Sequence, residues 1–450
     1  MNRHFLFTTK IIVGPLILLL MSSSLCVAET LIWAPQGLSA LIDEGLANNQ
    51  SIKSMEKQIG ALKEQMSVAG SLPDPKIGFS LLNLPVDSFA FDKQPMTQKQ
   101  IAIDQQIPWL SKLDLKSKTV ALKVSQKTAM LKAARLTLAS EIAQAYYELG
   151  YTAKSQEIND RLIKLVTGIR QNVENRYAVG EGLQQDIFQV DVELTNLADE
   201  KIMLRNKRRT IEDRINSLLN RAAYTTVALP SSLPITPVDI TTSELNKILL
   251  SHNPDLAAGL AKIAEAETRI ELAKKEYYPD FDLKVAYGQR DRLDTGQNEP
   301  DFFSAGVMVT VPLWHRKKQD RNLSSARLAH QAAQNAYNNL AVTLPNQADT
   351  LSTEMTDAVT RYNLYQGKLI PQAKEWDRSA TQGYQVNKIN FNTMIAARTR
   401  VLQFELKAEW YSFTFFSKRA ELEALIGKPL TAAPLDEDRK NEQQPVQPTQ

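Results

Sequence analysis

The chain is written twice, and that duplication constrains its fold more than any single motif does. Pro73-Asp74 recurs as Pro279-Asp280, 206 residues on, and Pro108 of Ile-Pro-Trp recurs as Pro312 of Val-Pro-Leu-Trp, 204 residues on. Asn49 of Asn-Asn-Gln-Ser-Ile returns as Asn253 of His-Asn-Pro-Asp-Leu at an offset of 204. The stretch Arg-Tyr-Ala-Val-Gly at 176–180 returns as Gly-Tyr-Gln-Val-Asn at 383–387, at an offset of 207. Four landmarks in one order at so long a spacing describe a duplicated domain, because solenoid units repeat every few tens of residues.

Within the first copy, proline is absent from Trp109 to Leu229, and glycine occurs there only at 150, 168, 180 and 182. Val120, Val124, Leu131, Leu138, Ile142, Ala145 and Leu149 fall on a heptad-like seam, the spacing of helix packed on helix. The Gly180-Glu181-Gly182 cluster is the turn, so a helix over about 110–178 reverses into one over about 183–220. A rod of that length spans ~100 Å at 1.5 Å per residue, more than a compact domain needs. The second copy repeats the plan, with helices over about 314–382 and 391–426 reversing near Asn387-Lys388. Pro345 and Pro371 interrupt it, which predicts short extra elements there. Each copy opens with a helix, 37–70 and 243–277, and 221–242 with Pro230, Pro234 and Pro237 connects them. The first copy thus occupies 29–220 and the second 243–430. The polar tail 431–450 has little to bury and is expected to be disordered.

Between the helices of each copy lie two alternating segments, about 76–82 and 99–107, then about 280–288 and 303–311. Phe281, Leu283, Val285 and Tyr287 alternate with Asp282, Lys284, Ala286 and Gly288. Phe303, Ala305, Val307 and Val309 alternate with Ser304, Gly306, Met308 and Thr310. A period of two with charge on one side gives strands wet on one face and apolar on the other. Such strands make either a small soluble sheet covered by helices or a sheet that meets lipid. Four strands cannot close a transmembrane barrel, and lipid does not tolerate open edges, so the second case requires several copies to pool their strands. Three copies give twelve strands.

The first 28 residues read as a secretory signal. Arg3 and Lys10 begin it, Ile11 to Met21 form its short apolar run, and Cys26-Val27-Ala28 places cleavage before Glu29. Lipid attachment at Cys26 is the alternative, against which stands Leu25 where a small residue is wanted. Without Cys26 the mature chain has no cysteine, which removes disulfides, thiolate metal sites and cysteine nucleophiles. No other stretch is long and apolar enough for a transmembrane helix. A net charge of +3, with 23% of residues charged, gives no reason to expect a nucleic-acid partner.

At this point the chain resembles the TolC family of outer-membrane efflux channels, over essentially the whole mature sequence. The duplicated plan, the paired strands and the tip motif Tyr177-Ala178-Val179-Gly180 carry the resemblance. It implies a mainly α fold with a membrane β-barrel, in which a trimer forms a 12-stranded barrel continued by an α-helical barrel. It implies an outer-membrane protein reaching into the periplasm, a periplasmic membrane-fusion adaptor, an inner-membrane pump of the RND type, and no enzymatic activity. Within the family, the first copy resembles the heavy-metal branch typified by CusC and CzcC. The residues are Leu72-Pro73-Asp74-Pro75, Asn83-Leu84-Pro85, Pro95-Met96-Thr97-Gln98-Lys99-Gln100 and Gln105-Gln106-Ile107-Pro108-Trp109. The alternatives are a duct for drugs or for type I protein secretion and, from another class, a periplasmic coiled-coil scaffold.

The resemblance also names sites. The adaptor-docking tips are Val179, Gly180, Glu181, Gly182 and Leu183 in the first copy, and Val386, Asn387, Lys388, Ile389 and Asn390 in the second. Asn387 departs from the motif glycine, although asparagine tolerates positive φ better than most residues. Some members narrow the periplasmic end with aspartates past the second tip. Here 391–396 reads Phe-Asn-Thr-Met-Ile-Ala, and Asp186 is the only acid at a comparable place. Asp186, Tyr384 and Thr393 are the candidates for a periplasmic constriction, and Asp186 reads equally as an acid favoured at a helix N-terminus.

No catalytic, cofactor or metal signature accompanies these. Gly180-x-Gly182 lacks the third glycine of a dinucleotide loop and follows no strand. His252, His315 and His330 have no ligand-like spacing, and the ten methionines read as core filler. His315, beside Trp314, Arg316, Lys317 and Lys318, reads as a basic, aromatic boundary where strand meets helix.

Overall fold

The computed structural model of the protein describes residues 31–229, 235–238, 240–386 and 388–430. The expected signal segment with Cys26, Pro230 and Pro234 of the connector, Asn387 and the tail from 431 lie outside the described residues.

Helix α1 (Gln36–Asn48) and helix α2 (Gln50–Gly70) open the first copy. Helix α5 (Thr242–His252) and helix α6 (Pro254–Lys275) open the second. The single opening helix expected in each copy is therefore two, parted at Asn49 and at Asn253. Both asparagines have extended backbone and cap the helix that follows. Asn49 Oδ1 accepts from the Ser51 and Ile52 amides, and Asn253 Oδ1 from the Leu256 amide. Each side-chain amide also donates to the last turn of its copy's return helix, Asn49 to Leu218 O (3.2 Å) and Asn253 to Leu425 O (2.7 Å). One side chain thus satisfies orphan donors at one helix start and an orphan acceptor at another helix end.

Those return helices are α4 (Gln184–Leu218) and α9 (Phe391–Ile426). The first copy's outgoing helix, α3 (Lys112–Ala178), runs 67 residues without a break. Helices α2 and α4 both pack along it, and Asn49 joins them where one stops and the other starts. Of the heptad seam, Leu131, Leu138, Ile142, Ala145 and Leu149 are buried. They share one core with Ile215 and Leu219 at the end of α4, and with Leu245, Leu249, Phe415 and Leu422 of the second copy. A second cluster, Val166, Ile169, Val173, Val190, Phe391 and Met394, holds the far ends of the helices together.

The outgoing helix of the second copy differs from the expectation at its start and at Pro345, and carries the expected short element near Pro371. It begins at Gln319, as α7 (Gln319–Leu364), because Trp314 to Lys318 close into a turn; the Lys317 and Lys318 amides both donate to Trp314 O at 3.1 Å. It passes through Pro345 with no extra element, with Leu344 buried beside the proline. Near Pro371 it carries a π turn, Tyr365–Leu369, before continuing as α8 (Ile370–Gln385). Pro371 has no amide to donate, and the Ile370 amide bonds back to Tyr365 O, so the wider turn takes up the missing bond.

The start and end of the described chain meet on α9. Glu423 accepts from the Trp33 amide (2.6 Å), the Leu430 amide (3.0 Å) and Arg419 Nε (2.9 Å), and Arg419 Nη2 donates to Leu430 O. Arg419 also lies over the Trp33 ring at 4.4 Å. Glu423 and Arg419 are both buried, so this is an ion pair whose remaining valences are filled by backbone.

Four strands, β1 (Lys76–Leu82), β2 (Gln98–Ile107), β3 (Asp280–Gln289) and β4 (Phe302–Thr310), form one antiparallel sheet in that order. The two copies therefore contribute one hairpin each, joined through β2 and β3.

Candidate functional site

Directly opposed residues in neighbouring strands share a face. Ile77, Ile103, Val285 and Ala305 form one row across the sheet; Phe79, Ile101, Tyr287 and Phe303 form the next. The opposite face carries Lys76, Asp104, Lys284 and Gly306, then Gly78, Ala102, Ala286 and Ser304. In these central rows one face is apolar from edge to edge, and the other is charged or small. No helix packs across either face among the described residues, which removes the covered-sheet reading. Ile77 is 73% exposed, Phe79 74% and Phe303 72%. An apolar surface this continuous needs an apolar environment. Strands β1 and β4 each have one edge with no partner among the described residues.

Both ends of the sheet are built up. At the helical end Trp109 stacks on Tyr278 and Phe281, with centroids 5.1 and 5.9 Å apart, and Lys112 pairs with Asp280 at 2.7 Å. At the loop end Arg290, its side chain almost fully buried, donates to Pro300 O (2.6 Å) and Pro95 O (2.9 Å) and pairs with Glu299 (3.1 Å). Its guanidinium lies 4.0 Å from the Phe302 ring centroid, so one side chain ties the β1–β2 loop to the β3–β4 loop. No helix among the described residues is long and apolar enough to cross a membrane, a finding that concerns helices alone.

The hairpin tips lie at the other end of the long helices. Gly180 has φ +79°, and the Glu181 amide returns to Arg176 O (2.9 Å) while the Gly180 amide returns to Tyr177 O (3.0 Å). This pairing closes α3 with a glycine in the left-handed region. A side chain on Gly182 would stand 2.9 Å from the Tyr177 nitrogen, so the second glycine answers a close approach. At the second tip the Lys388 amide reaches Gly383 O (2.8 Å) across the same six-residue span. Ile389 packs on Gly383, and Asn390 caps α9 through the Thr393 amide (2.9 Å). Val179, Leu183 and Val386 are exposed.

Of the constriction candidates, Asp186 and Tyr384 come together and Thr393 does not. A cleft of about 240 Å³ between the two tips is lined by Glu181, Gly182, Leu183, Asp186, Tyr384, Ile389 and Asn390, with Arg176 and Phe391. Thr393 Oγ1 is instead bonded to Asn390 Oδ1 (2.8 Å) as part of the helix cap. Arg176 lies over the Tyr384 ring at 4.8 Å, and Tyr384 meets Phe391 edge to face at 6.1 Å. Sequence reading missed Arg176, although it opens the repeated landmark at 176–180. No group of three or more His, Cys, Asp or Glu suited to a metal ion occurs among the described residues.

Comparison with known proteins places this geometry. The family model described as Outer membrane efflux protein matches residues 245–427. The Multidrug resistance outer membrane protein MdtQ of Escherichia coli O157:H7 is 21% identical over 392 residues, which is 82% of this chain and 80% of the relative. Among solved structures, CusC superposes with a TM-score of 0.74 at 13% identity, covering 88% of this chain and 93% of CusC. The outer membrane protein VceC of Vibrio cholerae gives 0.71 at 18% identity, covering 88% and 97%. A membrane protein from Pseudomonas aeruginosa gives 0.75 at 15% identity, covering 87% and 94%. Residues 245–427 thus match the outer membrane efflux protein family model, and the chain has the fold of the outer membrane proteins CusC and VceC.

Proposed function

We propose that the protein is the outer-membrane duct of a tripartite efflux system, conducting cargo passively across the periplasm and outer membrane and catalysing nothing. The observation that carries this reading is the uncovered apolar face of a four-stranded sheet with two open edges, mounted on paired long helices. In lipid such a sheet is stable only when closed, and three copies close it as twelve strands with the apolar face outward and the Lys76–Asp104–Lys284 face inward. The long helices then continue the barrel as a helical tube. The homotrimer works with a periplasmic membrane-fusion adaptor and an inner-membrane pump of the RND type. Val179 to Leu183 and Val386 to Asn390 meet the adaptor end on. Asp186 and Tyr384, in the cleft between the tips, line the entrance, where three copies of Asp186 make a ring that attracts cations.

Two cargo readings have support. The motifs of the first copy favour heavy-metal cations, and the name of the MdtQ relative favours drugs. Growth of a deletion strain across graded copper, silver, zinc, cobalt and cadmium, with dyes and detergents alongside, separates them. Sensitivity to one or two metals, restored by the gene on a plasmid, assigns metal export. Sensitivity to dyes and detergents alone assigns drug export.

A further inference from the structure

The turn between β4 and α7 carries a run of charge with no internal use. Arg316, Lys317 and Lys318 are exposed, and none of them pairs with a carboxylate among the described residues. Asp320, two residues past the run, accepts from the Tyr277 hydroxyl and faces His315 at 3.7 Å, and Glu276 accepts from Asn322 (3.0 Å). Beside the cations, Leu313 is 72% and Trp314 78% exposed. The turn follows directly on the row of Phe281 and Val309, so it continues the apolar face of the sheet. The Trp109–Tyr278 stack stands on the same rim, with Lys275 Nζ 5.4 Å from the Tyr278 ring centroid.

Aromatic rings at the edge of an apolar belt sit at headgroup depth, and cations just beyond them meet phosphate. We infer that Arg316, Lys317 and Lys318, with Trp314 beside them and the Trp109–Tyr278 stack on the same rim, bind an anionic phospholipid headgroup of the periplasmic leaflet. The inference rests on the outer-membrane reading above and adds to it a choice among lipids. Charge complementarity selects the headgroup: a zwitterionic lipid offers each cation a phosphate but brings its own ammonium with it. Continuity with the apolar face selects the source, because an acyl chain has Val311 and Leu313 to lie against while its phosphate meets the turn.

The test uses the full chain, assembled and reconstituted into bilayers of neutral lipid doped with brominated phosphatidylglycerol or brominated phosphatidylethanolamine. Quenching of tryptophan fluorescence reports which lipid stands beside Trp109 and Trp314. Phosphatidylglycerol is expected to quench at about tenfold lower mole fraction, a preference that collapses in high salt. The variant Arg316→Gln/Lys317→Gln/Lys318→Gln should insert normally and show no preference. Equal quenching by the two lipids in the unaltered chain overturns the inference, and so does a preference that survives both salt and the triple substitution. A preference for sedimenting with peptidoglycan, without one for phosphatidylglycerol, overturns it in favour of a wall polymer. Absence of quenching by either lipid is a separate outcome that sinks the outer-membrane reading itself. The salt series on the unaltered chain keeps the inference testable if the triple variant does not fold.

Discussion

Gly180 holds φ +79° at the first tip, a conformation that costs an ordinary L-residue roughly 1–2 kcal/mol. Nothing stands within 4 Å of where its side chain would be, so a substitution there projects straight into solvent. Gly180→Glu should therefore leave trimers intact by their heat-sensitive migration on gels while abolishing efflux. Normal efflux from that variant would remove the docking role. Asn253 is the opposite kind of residue, buried and bonded at both ends of its amide. Asn253→Ala loses the cap of α6 and strands Leu425 O, which should cost about 1–3 kcal/mol in the unfolding midpoint of the detergent-solubilised protein. Glu44 supplies a pH dependence. Its hydrogen bond from Arg221 holds the carboxyl below its ordinary value of 4.5. The folded chain thus binds that proton less tightly than the unfolded chain does. The stabilisation is complete above pH 4.5 and is lost as the pH falls through the depressed value. Thermal melting on acidification should fall less steeply for Glu44→Gln than for the unaltered chain.

At the scale of elements, the strands were readable because period-two alternation survives with little interference from tertiary packing; no helix among the described residues covers the sheet to blur it. The same alternation yields a prediction. Val285→Arg puts a charge on the apolar face, costing about 2–4 kcal/mol at mid-bilayer depth, and should deplete trimers from the outer-membrane fraction. Lys284→Gln, one residue away on the opposite face, should leave the trimer yield unchanged. Helix breaks were harder to read. Asn49 and Asn253 were visible as repeated landmarks, and Pro254 marks the second break locally, whereas nothing beside Asn49 marks the first; both asparagines also bond to Leu218 and Leu425 far along the chain. Pro345 pointed to an interruption that packing overrode, and Pro371 pointed to one whose form, a π turn, no local pattern specifies. The tip cleft was legible in part. Gly180 announces a turn by composition alone, whereas the contact of Arg176 with Tyr384 joins two hairpins through the fold and leaves no local trace.

Across the whole molecule, the pair Arg419–Glu423 holds the residues before α1 and after α9 against one helix. Burial pushes the Glu423 carboxyl up against the pull of Arg419, so the pair is poised at a cost that its backbone partners offset. Arg419→Met strands a buried carboxyl and should destabilise the protein by about 3–5 kcal/mol, with the double variant Arg419→Met/Glu423→Leu recovering part of the loss. Melting of the two purified variants checks this. The turn from Leu313 to Lys318 has a consequence of a different kind, one of symmetry. From Gln319 to Gln385 the second outgoing rod has 67 residues, the same count as α3. The offset between copies grows from 204 at Pro108 to 207 at Tyr177, and the late start of α7 takes up the difference. The two rods are equal in length and the surplus lies in the turn, so the proposed trimer would present six matched rods but only three basic turns. Its tube would have near-sixfold symmetry along its length, while the inferred grip on lipid would be strictly threefold.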